Sequence, residues 1–139
     1  RHSSHGGKVM HCGTCGNCLL RRVSLLWAGI EDSTGYRADD LRGQSLHVAY
    51  IGGLPRGIKS TLDLALNSVR SMHRMANLAD DIGGLRVQAE VAALSRGLGE
   101  PMDVVSDQME SFLKQHQREW YQFLDFCGRK SWVVQLTKI

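Results

Sequence analysis

The sequence predicts a mainly α-helical protein in which a cysteine-rich knuckle leads into the first helix. Three cysteines fall within seven residues near the beginning of the chain, at Cys12, Cys15 and Cys18. After them, apolar residues recur every three to four positions along several stretches, which is the period of an amphipathic helix. Residues 131–136 are β-prone but short. We therefore expect the knuckle to be followed by a bundle-like helical extension and by a short C-terminal strand or tail.

The composition limits the size and the class of the protein. The chain has 139 residues, of which 42% are apolar and 22% are charged, and this suits one domain's worth of buried core. No apolar run is long enough to cross a bilayer, and residues 1–8 lack the apolar segment of a signal peptide. The net charge of +3 and the scattered arginines make nucleic-acid binding an unfavoured prediction. We expect a cytoplasmic protein without membrane contact and, since residue 1 is not methionine, a piece of a longer chain.

The spacing of the three cysteines is typical of a metal site. Two residues separate each neighbouring pair, so a short loop can fold the thiolates around one soft cation. A secreted disulfide scaffold would distribute its cysteines and pair them, and this pattern does neither. Structural zinc is therefore the prediction, and free or catalytic thiols are one alternative. An iron–sulfur cluster is the other, although Arg22 occupies the position where a ferredoxin-like spacing needs its next cysteine.

A four-coordinate structural site needs one more ligand. His5 is the first candidate because the three residues after it, two of them glycines, leave the chain slack to reach the cysteines. His2 is the second candidate and Cys127 is the third, whereas His11 directly precedes Cys12 and adjacent residues rarely bind one tetrahedral ion. For each histidine, a flexible polar terminus is the alternative interpretation. The predicted metal ligands are Cys12, Cys15, Cys18 and His5.

The first helix should begin near Asn17. Its apolar stripe consists of Leu19, Leu20, Val23, Leu26, Trp27 and Ile30. Cys18 would then lie at the helix N-terminus, where the helix dipole stabilises a thiolate. Arg21 and Arg22 follow in the first turn, and we expect Arg21 to offset the thiolate charge and to pin the helix.

Three further helices are predicted in the rest of the chain. The first carries the stripe Ile58, Leu62, Ala65, Leu66, Val69, Met72 and Ala76, and the second carries Leu85, Ala89, Ala92 and Leu94. The third begins after Pro101, is about seven turns long and ends at Gly128, a typical helix-stop residue. His116, Trp120 and Cys127 lie on its apolar stripe, and we interpret them as core residues. The apolar stripes of these helices must pack against one another or against a further domain or partner.

Residues 53–61 look at first like a phosphate-binding loop. The pattern requires lysine directly after the second glycine, and Ile58 occupies that position. A loop that leads into a helix is the favoured interpretation, with Lys59, Ser60 and Thr61 able to bind an anion at the helix start.

Two motifs resemble the C-terminal region of 7-cyano-7-deazaguanine synthases. Residues 12–21, Cys-Gly-Thr-Cys-Gly-Asn-Cys-Leu-Leu-Arg, resemble that family's Cys-Gly-x-Cys-x-x-Cys-x-x-Arg. Residues 28–36, Ala-Gly-Ile-Glu-Asp-Ser-Thr-Gly-Tyr, resemble its Ala-Gly-x-x-Asp-x-Thr-x-Tyr. Two motifs in the right order and at the right distance are more specific than either alone. They define a first predicted domain, residues 1–36, and leave residues 37–139 as a helical extension.

The resemblance implies an ATP-dependent ligase that converts 7-carboxy-7-deazaguanine and ammonia into the nitrile, with a structural zinc ion on four cysteines. The family's first zinc cysteine falls at Ser3 or Ser4 here, which passes the fourth ligand to His2 or His5. The family's ATP pyrophosphatase loop, Ser-Gly-Gly-x-Asp-Ser, is absent from the sequence. We therefore expect this chain to be the inactive C-terminal piece of an α/β PP-loop enzyme, in which ATP and Mg²⁺ bind an upstream domain or a partner chain.

Residues 37–139 resemble in architecture the longer C-terminal regions of synthase-like proteins in anti-phage defence operons, the Qat and type IV CBASS systems. This implies a defence role, with other operon proteins or a second copy of the chain as candidate partners. A stand-alone helical zinc module for protein–protein interaction is the alternative function. Asp32, Thr34 and Tyr36 belong by resemblance to the segment after the knuckle, where Asp32 and Thr34 are expected to cap a turn.

Overall fold

The computed structural model describes residues 2–54 and 56–139, and it describes side chains from residue 5 onward except at position 55. The protein is mainly helical, which confirms the predicted fold class. Its elements in chain order are β1 (His2–His5), β2 (Lys8–His11), α1 (Gly16–Trp27), α2 (Leu46–Ala49), α3 (Ile58–Asn77), a 3-10 turn (Leu78–Asp81), α4 (Leu85–Leu98), α5 (Met102–Cys127) and α6 (Trp132–Thr137). In these ranges, no helix combines the length and apolar character needed to span a membrane.

An antiparallel hairpin precedes the knuckle. Strands β1 and β2 pair with His2 opposite His11 and with His5 opposite Lys8. The two-residue turn between them is Gly-Gly, and both glycines have positive φ angles of 56° and 77°, as a tight hairpin turn requires. A flexible polar terminus was the alternative interpretation of the histidines in this segment, whose strands carry few apolar residues. The Gly6-Gly7 pair was the sequence feature that could have indicated the hairpin turn.

The main core lies between α1, α3, α5 and α6. It buries Leu19 and Val23 of α1 against Val69 of α3 and Trp120 of α5, all without exposed surface. The core therefore unites residues from both predicted domains, and the division at residue 36 remains a prediction. Helix α4 packs mainly on α5, and a second, smaller core forms there with residues of the 3-10 turn.

The long helix α5 agrees with its predicted length and end. It runs for 26 residues and stops at Gly128, whose φ of 87° is unfavourable for other residues. His116, Trp120 and Cys127 are buried, as predicted. His116 Nε2 lies 3.0 Å from the Met72 carbonyl oxygen, so the histidine is a satisfied core residue.

Predicted apolar faces of α1, α3 and α4 are partly wrong. In α3, the first two residues of the predicted stripe, Ile58 and Leu62, are 49% and 42% exposed. In α4, Leu85 is 92% exposed, whereas Val87 and Val91 point into the second core. These valines are spaced i, i+4 like Leu85 and Ala89, so periodicity alone does not fix the rotation of this short helix. In α1, Leu20 and Trp27 keep 47% and 41% of their surface exposed, because no described element covers that side.

The predicted C-terminal strand is wrong, since the segment forms helix α6. The Ser131 hydroxyl accepts a hydrogen bond from the Val134 N–H at 3.2 Å and caps the helix. The Trp132 N–H donates to the Gly43 carbonyl at 2.8 Å, and its indole donates to the Asp40 carbonyl at 3.1 Å. Burial of Trp132 and Val133 in the main core therefore overrides the β-propensity of the segment.

Candidate metal centre

The knuckle between β2 and α1 depends on a glycine. Gly13 has a φ of 84°, and a β-carbon added there would lie 2.6 Å from the Ala38 carbonyl oxygen. The close approach lets the Ala38 N–H donate to the Cys12 carbonyl at 3.0 Å. The knuckle is therefore clamped between α1, which begins at Gly16, and the segment around Tyr36 and Ala38.

The three predicted cysteines converge. Their Sγ atoms all lie within 4.8 Å of one another, with 3.8 Å between Cys12 and Cys18 and 3.4 Å between Cys15 and Cys18. None forms a disulfide. A tetrahedral ion with metal–sulfur bonds of about 2.3 Å holds its sulfurs about 3.8 Å apart. The trio could therefore hold a single metal ion, whereas the thiolates of an iron–sulfur cluster bind different iron atoms and lie farther apart.

The electrostatics of the trio also suit a cation. Burial raises the pKa of the Cys12 thiol, but hydrogen bonds from the N–H groups of Thr14 and Cys15 bring it down to about 7. Burial raises the pKa of Cys18 to about 12, and the neighbouring sulfurs of Cys12 and Cys15 contribute in the same direction. Without a cation, the sulfurs cannot all carry charge. A divalent cation would offset the repulsion between the thiolates, because it attracts all three of them.

The fourth ligand is not among the groups that converge. In the part of the chain with described side chains, no other His, Cys, Asp or Glu joins the three cysteines. His5 lies at the hairpin tip, three residues or about 10 Å along the strand from the His2–His11 pair. Its imidazole is against Gly52, where any β-carbon would overlap it. The ligand role of His5 remains a prediction, and the side chain of His2 lies outside the described residues.

Cys127 occupies a different environment. It belongs to the main core, where it is 3% exposed, and not to the cluster that contains Cys12 and Cys18. Burial raises its pKa to about 12, as expected for a thiol in apolar surroundings. It therefore behaves as the small core residue that the sequence favours.

Arg22, a buried arginine of α1, ties the knuckle to the loop that contains Ala38 and Asp39; we call this contact the latch. Its guanidinium donates to the carbonyl oxygens of Ala38 at 2.7 Å, Asp39 at 2.6 Å and Gly13 at 3.4 Å. It also stacks on the Tyr36 ring, 4.1 Å from the centroid, although burial lowers its pKa. Arg21, which is exposed, was predicted to pin the helix. That assignment is wrong because the face of α1 that buries Leu19 also carries Arg22, three residues later.

The second motif forms a brace beside the latch. The Asp32 carboxylate accepts hydrogen bonds from the Thr34 N–H at 3.0 Å and from the Tyr36 hydroxyl at 2.8 Å. Burial raises the pKa of Asp32, but hydrogen bonds from the side chains of Thr34 and Tyr36 and from the Thr34 N–H outweigh it and leave that pKa below its usual range. Burial and the nearby Asp32 raise the pKa of Tyr36 to about 12. The expected turn at Asp32 and Thr34 is thus present, and the motif has a clear structural role.

Comparison with known proteins places the similarity in a short part of the chain. Over 34 residues, this chain is 53% identical to the 7-cyano-7-deazaguanine synthase of Porphyromonas gingivalis. The aligned segment covers 24% of this chain and 16% of that protein. Over 44 residues, this chain is 41% identical to the 7-cyano-7-deazaguanine synthase of Paracoccus denitrificans, covering 32% and 19%. The matches thus span less than a fifth of either relative. No protein-family model and no solved structure matches the chain.

Thr14 provides a test of how the thiolates are held. Its side chain has no exposed surface, it lies close enough to lower the pKa of Cys12, and its hydroxyl has no hydrogen-bond partner in the described structure. We expect this hydroxyl to donate to the Cys12 thiolate once a metal orders it. Thr14→Val, which keeps the shape, should weaken zinc binding about tenfold.

Competition with a chromophoric zinc chelator measures this affinity. Thr14→Ser is the matched control, since it keeps the hydroxyl and should bind zinc within about twofold of the original protein. Equal affinities of the valine and serine variants would contradict a role of the hydroxyl at the metal.

Proposed function

We propose that this chain is the zinc-binding portion of a 7-cyano-7-deazaguanine synthase-like protein. Cys12, Cys15 and Cys18 would hold the ion, and a histidine of the hairpin, His5 or His2, would complete the site. The convergence of three sulfurs at distances that suit one tetrahedral ion carries the proposal. Identities of 53% and 41% to two such synthases over short segments support it.

The ion's proposed contribution is structural: when bound, it cross-links the end of β2 to the start of α1. The chain's own residues transmit that constraint, because Arg22 ties the knuckle to the loop that follows Tyr36. The proposed site therefore maintains the shape of the surface around α1.

The proposed reaction of the whole protein is the ATP-dependent conversion of a 7-carboxy-7-deazaguanine carboxylate and ammonia into a nitrile. ATP and Mg²⁺ would bind a PP-loop domain, upstream or on a partner chain, because residues 1–139 contain no Ser-Gly-Gly-x-Asp-Ser loop. Three apolar side chains of the α1 region, Leu20, Trp27 and Ile30, are 41–59% exposed and offer a docking face for it. Free thiols at the knuckle suit the cytoplasm, and the helical extension suits a role in anti-phage defence.

A stand-alone zinc module for protein–protein interaction is the second candidate. The same exposed face of α1 favours it, since such a module needs an apolar surface for its partner.

Isolation of the tagged protein from its native host tests both candidates. We expect one zinc ion per chain by elemental analysis and, in the same preparation, conversion of 7-carboxy-7-deazaguanine to the nitrile with ATP and ammonium. Wild-type protein without stoichiometric zinc would overturn the metal site. Zinc-loaded protein whose complexes never make the nitrile would overturn the synthase assignment and leave the interaction module.

A further inference from the structure

Cys18 contacts both of the other sulfurs in the knuckle. Its Sγ atom lies 3.4 Å from that of Cys15 and 3.8 Å from that of Cys12. A disulfide bond is about 2.05 Å long, so rotation of the side chains with a small backbone adjustment could close either pair. The knuckle is therefore a set of thiols that can oxidise as well as a metal site, and two disulfides compete for Cys18.

Access from solvent distinguishes Cys15 from Cys12. Cys12 and Cys18 keep only 5% and 4% of their surface exposed. Cys15 is the least buried of the three, and two exposed residues, Gly16 and Asn17, follow it. No more distant part of the described chain comes within 4 Å of a β-carbon built on Gly16, so the approach on this side is open. A small oxidant therefore meets Cys15 first.

Cys15 and Cys18 also belong to the same turn of the chain. Cys15 precedes the first residue of α1 and has an extended backbone with a φ of −74° and a ψ of 162°. Two cysteines separated by two residues at a helix N-terminus are typical of redox-active dithiols. This pair can close without moving β2 or the Arg22 contacts to the Ala38 and Asp39 carbonyls.

The two possible disulfides have opposite structural consequences. A Cys12–Cys18 bond would link the end of β2 to α1 covalently, as the proposed metal ion does. A Cys15–Cys18 bond lies within one turn and leaves Cys12 as the single thiolate of the trio, which is too few for a closed four-coordinate zinc site. Oxidation of this pair would therefore disconnect the hairpin from the helix.

We propose that Cys15 is a site of oxidation by hydroperoxides, that Cys18 is its disulfide partner, and that closure of this disulfide releases the metal ion reversibly. The release rests on the proposed function, because the ion is the zinc proposed above. The formation of the disulfide rests only on the positions of the three thiols.

The chemistry proceeds in two steps. The Cys15 thiolate attacks one peroxide oxygen: an S–O bond forms, the O–O bond breaks and hydroxide leaves. The Cys18 thiolate then attacks the sulfenic sulfur: the S–S bond forms, the S–O bond breaks and a second hydroxide leaves. Two electrons pass from the sulfurs to the peroxide, and both hydroxides take up protons from water. An added dithiol reverses the oxidation by thiol–disulfide exchange.

Oxidation of the purified, zinc-loaded chain with one equivalent of hydrogen peroxide tests the assignment of the pair. Remaining thiols are blocked with N-ethylmaleimide, the disulfide is reduced, and the thiols that it releases are labelled with iodoacetamide. The knuckle cysteines share one tryptic peptide, residues 9–21, so tandem mass spectrometry locates each label. We expect iodoacetamide on Cys15 and Cys18 and maleimide on Cys12 and Cys127.

A chromophoric zinc chelator follows the ion in the same sample. We expect about one zinc ion released for each disulfide formed, and rebinding after dithiothreitol is added. Amide exchange should show that the hairpin loses protection on oxidation while most of α1 keeps it. Cys127→Ala is the matched control: this cysteine lies in the main core, so the variant should form the same disulfide at a rate within about twofold of the original protein.

Several results would contradict the proposal. They are a disulfide that includes Cys12, a sulfinic acid on Cys15 without a disulfide, zinc that stays on the oxidised chain, and zinc that does not rebind after reduction. A failure of the proposed function is seen separately, as protein that lacks stoichiometric zinc before any oxidant is added. The release then fails with the metal site, whereas the labels still decide whether Cys15 and Cys18 pair. Zinc-loaded protein that forms no such disulfide overturns this proposal and leaves the proposed function intact.

Discussion

Replacing Cys15 by serine is expected to release the metal ion and to open the N-terminal part of the protein. The three sulfurs lie within 4.8 Å of one another, so a lost thiolate leaves only two sulfur ligands beside the proposed histidine, too few for a closed four-coordinate zinc site. Structural zinc stabilises small zinc-dependent domains by on the order of 10 kcal/mol. The effect should therefore be the largest of any single substitution near the knuckle. Zinc per chain by elemental analysis, and thermal unfolding with and without a chelator, measure it.

The structure indicates how far the opening should spread. The sequence alone predicts that the N-terminal third unfolds, but Leu19 and Val23 of α1 are buried against α3 and α5. We therefore expect the hairpin and the knuckle to lose amide-exchange protection while most of α1 keeps it. Cys127→Ala is the control: it should retain zinc and lose about 1–2 kcal/mol of stability from the small cavity. Wild-type levels of zinc in the Cys15→Ser protein would refute the site.

The knuckle and the helices were predictable because both depend on local spacing. Cysteines two residues apart must fold together to bind one ion, and they do converge. The end of α5 at Gly128 was predictable for a similar reason, since a glycine that adopts a positive φ ends a helix locally.

The errors concern tertiary contacts. Residues 132–137 form a helix because Trp132 donates hydrogen bonds to the carbonyl oxygens of Gly43 and Asp40, which are about 90 residues distant along the chain. The rotation of α4 depends on how the preceding turn directs Val87 toward α5. The spacing of apolar residues along the sequence contains neither piece of information.

The sequence alone could have distinguished the roles of Arg21 and Arg22. Two adjacent arginines follow the knuckle, and resemblance to a motif favoured Arg21. Helical phase favours Arg22, because it lies at i+3 from Leu19 and next to Val23, both of which are buried.

The second large effect is expected from Arg22→Lys. A lysine keeps the charge but cannot present the planar fork that reaches the Ala38 and Asp39 carbonyls together. At least one buried carbonyl would lose its partner, and the cation on the Tyr36 ring would lose its flat stacking surface. Hydrogen bonds from charged donors contribute about 1.5–3 kcal/mol each, so we expect a loss of about 2–4 kcal/mol in the free energy of unfolding. Urea denaturation of the zinc-loaded protein measures it.

Arg21→Lys is the matched control, one residue away on the exposed side of α1. Its free energy of unfolding should stay within about 0.5 kcal/mol of the original protein. Equal stabilities of the two variants would show that the three carbonyl bonds contribute nothing net, and the knuckle would then depend on the metal ion alone for its attachment to the loop.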